Sequence, residues 1–340
     1  MNPKQLSVDT GIMTKEIERP HVVILGAGAS VAAFPNGDRN GRRLPLMNNN
    51  FVDAVGLTNL LAKHGVRAPY DDFEAIWSDV VAKSANAALQ KDAERIISDY
   101  FAGLALPDEP TLYDHLILSL RQKDVIATFN WDPLFWHAAA RNHHFAGTPR
   151  LLFLHGNVAL GYCPHCKVVL NRNHRCSGCG GKLQASPLLF PVKQKNYQAH
   201  APIAAHWRNI EVALGKAWAV TFFGYGAPRT DIEAVALLKK GWGDVTDRNL
   251  EETEIIDIRE ENDLVGTWSP FIHTHHYQIK RCFYDSLLAK HPRRSCEALW
   301  ARLMECQFLS DSTFPRNASF ADLYTWLKPK LKEEGKSERV

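Results

Sequence analysis

The chain has 340 residues, which is enough for one large α/β domain or two smaller domains. Its content of 45% hydrophobic and 23% charged residues is typical of an ordinary globular protein. The net charge of +3 is too small to indicate nucleic-acid binding. No apolar run approaches the roughly 20 residues that a membrane span needs. Because residues 1–19 are polar and lack the apolar segment of a signal peptide, we predict a loose N-terminal arm and a cytoplasmic protein.

A short apolar segment followed by glycines is the first predicted element. His21–Leu25 is apolar and β-branched, as is typical of a buried parallel strand. Gly26 and Gly28 follow directly, and the next residues can open a helix whose N–H groups bind a phosphate. A plain turn between strand and helix is the alternative. Val31 replaces the third glycine of a dehydrogenase fingerprint, and no acidic residue follows at the required spacing. The pattern therefore argues against a nicotinamide dehydrogenase.

A long loop and several helices are predicted next. Residues 34–50 are rich in Gly, Pro and Asn, which is typical of a loop. Three basic side chains of this loop either face a pyrophosphate or lie in solvent: Arg39, Arg42 and Arg43. Hydrophobic periodicity predicts helical segments over residues 51–65, 71–102 and 112–121.

Polar side chains follow two further predicted strands. Asn130 and Asp132 come after the apolar run 124–128, and His155 comes after the run 151–154. The carboxyl ends of parallel strands meet at one edge of a sheet, where ligands bind in open α/β folds. We therefore expect these three side chains at one site. The alternatives are that Asp132 only caps the next helix and that the histidine is structural.

Two more predicted strands complete the sheet. The predicted strand 218–223 is followed by Gly224, and the predicted strand 254–258 has Asp257 near its end. This acid either holds a ribose hydroxyl or lies on the surface. Asp231 is expected to cap a helix rather than to reach the site.

The chain after residue 260 is predicted to differ from the part before it. Residues 262–277 are expected to be irregular, and helices are predicted over 278–290, 294–308 and 319–333. The predicted organisation is thus an arm (1–19), a ligand-binding domain (20–260) and a C-terminal helical extension (261–340).

Two C-x-x-C pairs form the strongest motif of the sequence. Cys163 and Cys166 are separated by nine residues from Cys176 and Cys179. Four thiolates at this spacing predict a zinc ribbon, here within residues 161–183. Because all four ligands would be protein thiolates, we expect a structural zinc ion that stabilises a small insert.

The order of these motifs resembles that of the sirtuin superfamily over residues 20–260. The shared pattern is strand–GAGAS, strand–TFNWD, strand–HG, two C-x-x-C pairs and strand–GYG. The resemblance implies an α/β fold with a Rossmann-like parallel sheet, helices on both faces, a small zinc module and NAD between the two. It also implies that four residues hold the NAD diphosphate: Gly26, Ala27, Gly28 and Ser30.

The resemblance implies roles for the other candidate residues as well. Asn130 would lie beside the nicotinamide ribose, and Asp132 would bind the carboxamide. His155 would be the general base. Gly224 would lie under the adenosine ribose, and Asp257 would lie near the adenine.

Departures from the protein deacetylases of the superfamily point to a different reaction. Residues 31–38 replace their S-G-I-P-D-F-R segment, Phe129 replaces the glutamine of T-Q-N-I-D, and residues 190–194 replace F-G-E. The pattern is more similar to the sirtuin-like NAD hydrolases of bacterial antiphage defence. We therefore expect an NAD glycohydrolase that releases nicotinamide and ADP-ribose. An NAD-dependent protein deacylase and a non-catalytic NAD or ADP-ribose binding module are the alternatives.

A defence enzyme that consumes NAD must be kept inactive until it is needed. We therefore expect regulation by assembly, either as a homo-oligomer or with a hexameric ATPase or helicase of the HerA type. The helices from about residue 278 are the expected contact surface. The sequence indicates neither a membrane nor direct nucleic-acid binding.

Overall fold

A computed structural model describes residues 19–192, 195–228 and 231–337. The predicted arm lies outside the described residues except for residue 19. The described part contains nine strands: β1 His21–Leu25, β2 Val125–Thr128, β3 Arg150–Phe153, β4 Leu160–Cys163, β5 Val168–Asn171, β6 Gln184–Ala185, β7 Ala219–Phe223, β8 Glu252–Ile256 and β9 Tyr277–Lys280.

Six of these strands form the main sheet, in the order β3-β2-β1-β7-β8-β9. Every neighbouring pair in this sheet is parallel. The chain builds outward from β1 through β2 to β3, and then continues on the other side of β1 with β7, β8 and β9. Such a reversal is the usual position of a ligand crevice in doubly wound sheets. The predicted parallel α/β sheet is confirmed.

The helices of the described residues lie between and after these strands. Their bounds are α1 Ala27–Ala33, α2 Phe51–Val55, α3 Thr58–Lys63, α4 Phe73–Ile76, α5 Ala87–Ala102, α6 Leu112–Leu118, α7 Leu134–Ala146, α8 Ala201–Lys216, α9 Ile232–Trp242, α10 Glu261–Trp268, α11 Leu287–Lys290, α12 Ser295–Met304 and α13 Phe320–Ser337. None of these helices has the length and apolar character needed to cross a bilayer.

Two predicted helical segments are interrupted. The first is divided into α2 and α3 at Gly56, whose φ of 86° ends α2 in a left-handed conformation. The second contains α4, one π-helical turn at Trp77–Val81, a 3₁₀ turn at Ser84–Asn86 and then α5. The apolar periodicity of both segments is therefore shared among short helices.

Each face of the main sheet covers a separate hydrophobic core. In β1, Val23 and Leu25 belong to one core, whereas Val22 and Ile24 belong to the other. Consecutive side chains of a strand point to opposite faces, so a strand that is covered on both sides must be apolar throughout. This explains why the strand sequences read as continuous apolar runs.

The region after residue 260 differs from the prediction. The segment that we expected to be irregular contains α10 and the start of β9. Strand β9 pairs in parallel with β8 and is the sixth strand of the main sheet, so the prediction of a helix from residue 278 was wrong in its first part. The sheet therefore continues beyond residue 260, where we expected the ligand-binding domain to end.

The C-terminal helix α13 packs on the main domain. Leu323 and Leu327 are fully buried in a small cluster with Leu118, which ends α6. Arg293 forms an ion pair with Glu334 of α13. These contacts hold the last helix against the α6–α7 side of the sheet.

Candidate functional site

One cavity of about 820 Å³ lies at the carboxyl edge of the main sheet. The structure brings together along this cavity all nine residues that the sequence assigns to the ligand and the reaction: Gly26, Ala27, Gly28, Ser30, Asn130, Asp132, His155, Gly224 and Asp257. They come from the segments that directly follow five different parallel strands, β1, β2, β3, β7 and β8. A volume of this size is within the range of ordinary small-molecule sites.

A buried hydrogen-bond network surrounds Ser30. Its hydroxyl donates to Asp132 Oδ2 at 2.7 Å and lies 2.7 Å from the hydroxyl of Tyr113. Asn130 Nδ2 donates to the same Ser30 Oγ at 2.9 Å. Since the single proton of Ser30 goes to a carboxylate, which can only accept, Tyr113 must donate to Ser30. Ser30, which the resemblance assigns to the diphosphate, is thus engaged on all sides by protein groups.

This network determines which way the Asn130 amide points. Asn130 Nδ2 also donates to the carbonyl oxygen of Gly26 at 2.9 Å. A backbone carbonyl cannot donate, so only the nitrogen of the amide can face it. Both N–H groups of Asn130 therefore bind inside the protein, and the amide oxygen is the part that can accept a hydrogen bond from a ligand.

Asp132 is held by hydrogen bonds on both carboxylate oxygens. Oδ2 accepts from Ser30, and Oδ1 accepts from the backbone N–H of Leu134 at 3.1 Å, in the first turn of α7. The sequence left capping and site membership as alternatives for this residue; in the structure it accepts a hydrogen bond from the first turn of α7 and also lines the cavity. Burial raises the pKa of the Asp132 carboxyl, and the hydrogen bond from Ser30 opposes this shift.

The glycine turn after β1 packs closely against the turn after β7. A Cβ atom on Gly26 would lie 2.5 Å from the Gly224 carbonyl oxygen, and one on Gly28 would lie 2.9 Å from it. Gly224 itself has a φ of 59°, in the left-handed region that favours glycine. From the sequence we expected a ligand to approach the backbone at these glycines. The structure fills the Cβ positions of Gly26 and Gly28 with the backbone of the neighbouring strand turn.

His155 lies in a buried group of polar side chains. Its Nε2 atom is 3.9 Å from Asp231 Oδ1 and 3.5 Å from the hydroxyl of Tyr197. Burial lowers the pKa of His155 to about 4, Asp231 opposes this shift, and Lys195 adds to it. The imidazole is therefore neutral near pH 7 and can accept a proton.

Asp231 belongs to the site, contrary to the expectation that it caps a helix. It makes no side-chain capping hydrogen bond to α9. Instead it forms a close ion pair with the buried Lys195 and accepts a hydrogen bond from Tyr225 at 3.1 Å. Asp231 and Lys195 both line the cavity. Sequence reasoning missed Lys195, because a single lysine in a loop carries no motif.

The cysteine insert is connected directly to the turn that carries His155. The insert is a small antiparallel sheet in the order β5-β4-β6. It begins soon after His155 and returns through Leu189, whose N–H donates to the His155 carbonyl oxygen at 3.0 Å. A Cβ on Gly156 would lie 1.8 Å from the carbonyl oxygen of Pro187, so the two segments are in close contact. The insert thus helps to position the histidine turn.

The four predicted cysteines converge at the far end of this insert. The Sγ atoms of Cys163, Cys166, Cys176 and Cys179 all lie within 4.8 Å of one another. Tetrahedral zinc with Zn–S bonds of about 2.3 Å requires sulfur atoms about 3.8 Å apart. The cluster therefore fits one metal ion bound by four thiolates. Among the described residues it is the only group of this kind.

Charged side chains line the cavity at the ends of β8 and β9. Asp257 forms an ion pair with Arg259 at 3.0 Å, and Arg281 follows β9. Sequence reasoning did not identify either arginine. The three loop arginines that we considered for a pyrophosphate are not among the residues that line the cavity. One of them, Arg39, forms an exposed ion pair with Asp108 at 2.8 Å.

Comparison with known proteins gives matches among solved structures. No protein-family model matches the sequence, and no curated protein matches it. The chain is similar to Sir2 homologues. One is a Sir2 homologue in complex with NAD, with 16% identity, a TM-score of 0.42, and coverage of 82% of this chain and 90% of that one. Another is Sir2 in complex with the inhibitor EX-527, 2′-O-acetyl-ADP-ribose and a deacetylated p53 peptide, with 16% identity, a TM-score of 0.36, and coverage of 84% and 93%.

Proposed function

We propose that this protein is an NAD glycohydrolase, which cleaves NAD to nicotinamide and ADP-ribose. The observation that carries the proposal is the convergence of Asn130 and His155 on one cavity with the glycine turn. The amide oxygen of Asn130 is an oriented hydrogen-bond acceptor, and His155 is a neutral imidazole. Asn130 and its partners are preorganised by hydrogen bonds within the protein, as efficient catalysis of a charged transition state requires.

The proposed reaction is a displacement by water. The bond between the nicotinamide nitrogen and the ribose carbon breaks, and its electron pair leaves with the nicotinamide. The oxygen of a water molecule forms the new bond to that carbon. The Asn130 oxygen accepts a hydrogen bond from the water or from a ribose hydroxyl, and His155 takes the proton that the water loses.

Asp132 supports this reaction in two ways. It orients Asn130 through Ser30, because the Ser30 hydroxyl links the two side chains. Each carboxylate oxygen has two lone pairs, so Asp132 can also accept one hydrogen bond from the carboxamide of nicotinamide. The second role is the one that the resemblance implies.

The other elements of the proposal concern metal and assembly. We propose structural zinc at the four cysteines, since the thiolates fit a tetrahedral ion and would stabilise the insert that contacts the His155 turn. We also propose that the protein acts in defence in the cytoplasm. In this proposal its activity is controlled by assembly, either as a homo-oligomer or with a hexameric ATPase. Exposed apolar side chains at and after α12, including Trp300 and Phe308, support a contact with another protein in this region.

The test is to mix the purified protein with NAD alone and to measure free nicotinamide. We expect release by the wild type and a loss of about 100-fold or more in Asn130→Ala and His155→Ala. Asn173→Ala and His64→Ala are matched controls, because both side chains are exposed and lie outside the cavity.

Three outcomes would contradict the proposal. Full activity in both site variants would refute the assigned roles. Nicotinamide release only when an acylated peptide is added would favour the deacylase. Tight binding of NAD without any release, measured by calorimetry, would favour the non-catalytic binding module.

A further inference from the structure

Three cationic side chains of the described residues line the cavity, and only one lacks a carboxylate partner. Lys195 forms an ion pair with Asp231, and Arg259 forms one with Asp257. Arg281 forms no ion pair with any described residue. Its Nη1 atom donates to two backbone carbonyl oxygens, that of Ile258 at 2.9 Å and that of Arg259. The charge of Arg281 is therefore available to an anionic ligand.

The glycine turn offers fewer N–H donors to a phosphate than its sequence suggests. The backbone N–H of Gly26 donates to the Phe223 carbonyl at 3.0 Å, and that of Gly28 donates to the Gly224 carbonyl at 2.9 Å. The N–H of Ala29 donates to the Gly26 carbonyl at 3.0 Å. A dinucleotide diphosphate is negatively charged, and its oxygens need donors or cations that these three groups do not supply. These three N–H groups are therefore already bound within the protein, and a diphosphate needs further partners in the cavity.

We propose that Arg281, together with Arg259, binds phosphoryl oxygens of the dinucleotide. This inference rests on the proposed NAD-hydrolysing function and extends it to the recognition of the substrate. A guanidinium group presents a planar set of donors that matches a phosphate group, and it stays charged at any physiological pH.

Asp257 has a different task in this arrangement from the contact with a ribose hydroxyl that its position at a strand end suggested. Its Oδ1 atom accepts a hydrogen bond from the backbone N–H of Arg259 at 3.0 Å. Its Oδ2 atom accepts one from the Arg259 guanidinium, also at 3.0 Å. The carboxylate thus holds Arg259 in place across a two-residue turn. Asp257 is a positioning residue for the arginine in this proposal, and it binds no ribose hydroxyl.

Two phosphoryl groups share this chemistry, and they come from different parts of the substrate. One is the diphosphate that NAD and NADP have in common. The other is the phosphate on the adenosine ribose, which only NADP carries. In either case the arginines should strengthen binding. If they bind the diphosphate, every ligand that carries a diphosphate should depend on them, whereas if they bind the ribose phosphate, only a ligand with that phosphate should.

The test measures equilibrium binding of ADP-ribose and of 2′-phospho-ADP-ribose to the full chain by calorimetry. Neither ligand carries nicotinamide, so binding is measured without turnover. The variants are Arg281→Gln and the charge-conserving Arg281→Lys. Arg95→Gln is the control, because Arg95 is exposed on α5 and does not line the cavity.

We expect Arg281→Gln to weaken binding about tenfold or more, with a smaller loss in Arg281→Lys. A loss for both ligands places the arginine on the diphosphate. A loss for 2′-phospho-ADP-ribose alone, with tighter wild-type binding of that ligand, places it on the ribose phosphate. Unchanged binding of both ligands in Arg281→Gln, or binding of neither by the wild type, would overturn the inference. A wild type that binds both ligands but releases no nicotinamide from NAD would refute only the proposed function.

Discussion

The two ends of the cavity are built in opposite ways. At one end, Ser30, Asn130, Asp132 and Tyr113 are buried and bind each other. At the other end the arginines remain partly in water, and the neighbouring Ile258 is 85% exposed. A polar group that must keep one orientation is best held by internal hydrogen bonds. Groups that attract a charged ligand avoid the cost of burying a charge if they stay near solvent. We therefore assign bond breaking to the buried end and substrate capture to the exposed end.

Ser30→Ala should have the largest effect among the variants that change a hydrogen-bond partner of Asn130. The change removes the acceptor of the Asn130 and Tyr113 hydrogen bonds and the donor to Asp132. We expect nicotinamide release at saturating NAD to fall about 100-fold, because the Asn130 amide loses its fixed orientation. The unsatisfied buried groups should also destabilise the fold by about 1–3 kcal/mol.

Steady-state kinetics and thermal unfolding measure these two effects separately. Ser269→Ala is the control, because Ser269 is exposed and bonds only within its own turn. An unchanged kcat in Ser30→Ala would show that the network does not orient the catalytic amide. The contrast between the two ends of the cavity would then lose its functional meaning.

Tyr113→Phe tests the same network with a smaller change. The ring stays in place, and only the hydroxyl that donates to Ser30 at 2.7 Å is lost. Since one hydrogen bond contributes about 1 kcal/mol, we expect kcat to fall about fivefold with KM unchanged. Tyr324→Phe is a matched control, because the Tyr324 hydroxyl donates to Asn142 at the contact between α13 and α7. A change in KM alone would instead place Tyr113 in substrate binding.

The sequence predicts the positions of the catalytic candidates better than their partners. Asn130 and His155 follow apolar strands, and the parallel sheet brings such strand ends together. The role of Ser30 depends on Tyr113, which is 83 residues away and joins it only through tertiary packing. No local pattern in the sequence marks such a pair.

The missed strand β9 has a similar physical explanation. Its sequence, Tyr-Gln-Ile-Lys, alternates apolar and polar residues, and all four are half-buried because the strand lies at the edge of the sheet. The buried strands have continuous apolar runs that are much easier to recognise. Arg281 follows this edge strand, so its place in the cavity could not be predicted while the strand was missed.

The smallest effect at neutral pH is expected from Asp231→Asn. Burial lowers the pKa of His155 to about 4, whereas Asp231 raises it. The base form of His155 is required, so kcat/KM for NAD should be constant above about pH 5 and fall as the pH drops through the folded-state pKa. Removing the Asp231 charge lowers that pKa further, because the attraction between this carboxylate and the protonated imidazole is lost. The acid limb of the profile should therefore move to lower pH, with little change near pH 7.

The lowered pKa of His155 also makes the stability of the fold depend on pH. An unfolded histidine has a pKa near 6.5, so between about pH 6.5 and 4 the unfolded chain binds a proton that folded His155 does not bind. The contribution of His155 to the free energy of unfolding is complete above this range and decreases as the pH falls through it. Asp231→Asn should extend that decrease to lower pH, and Asp263→Asn, an exposed acid of α10, should not. If the acid limb moved to higher pH instead, Asp231 would not be the group that favours protonated His155. The assignment of the buried end to proton transfer would then have to change.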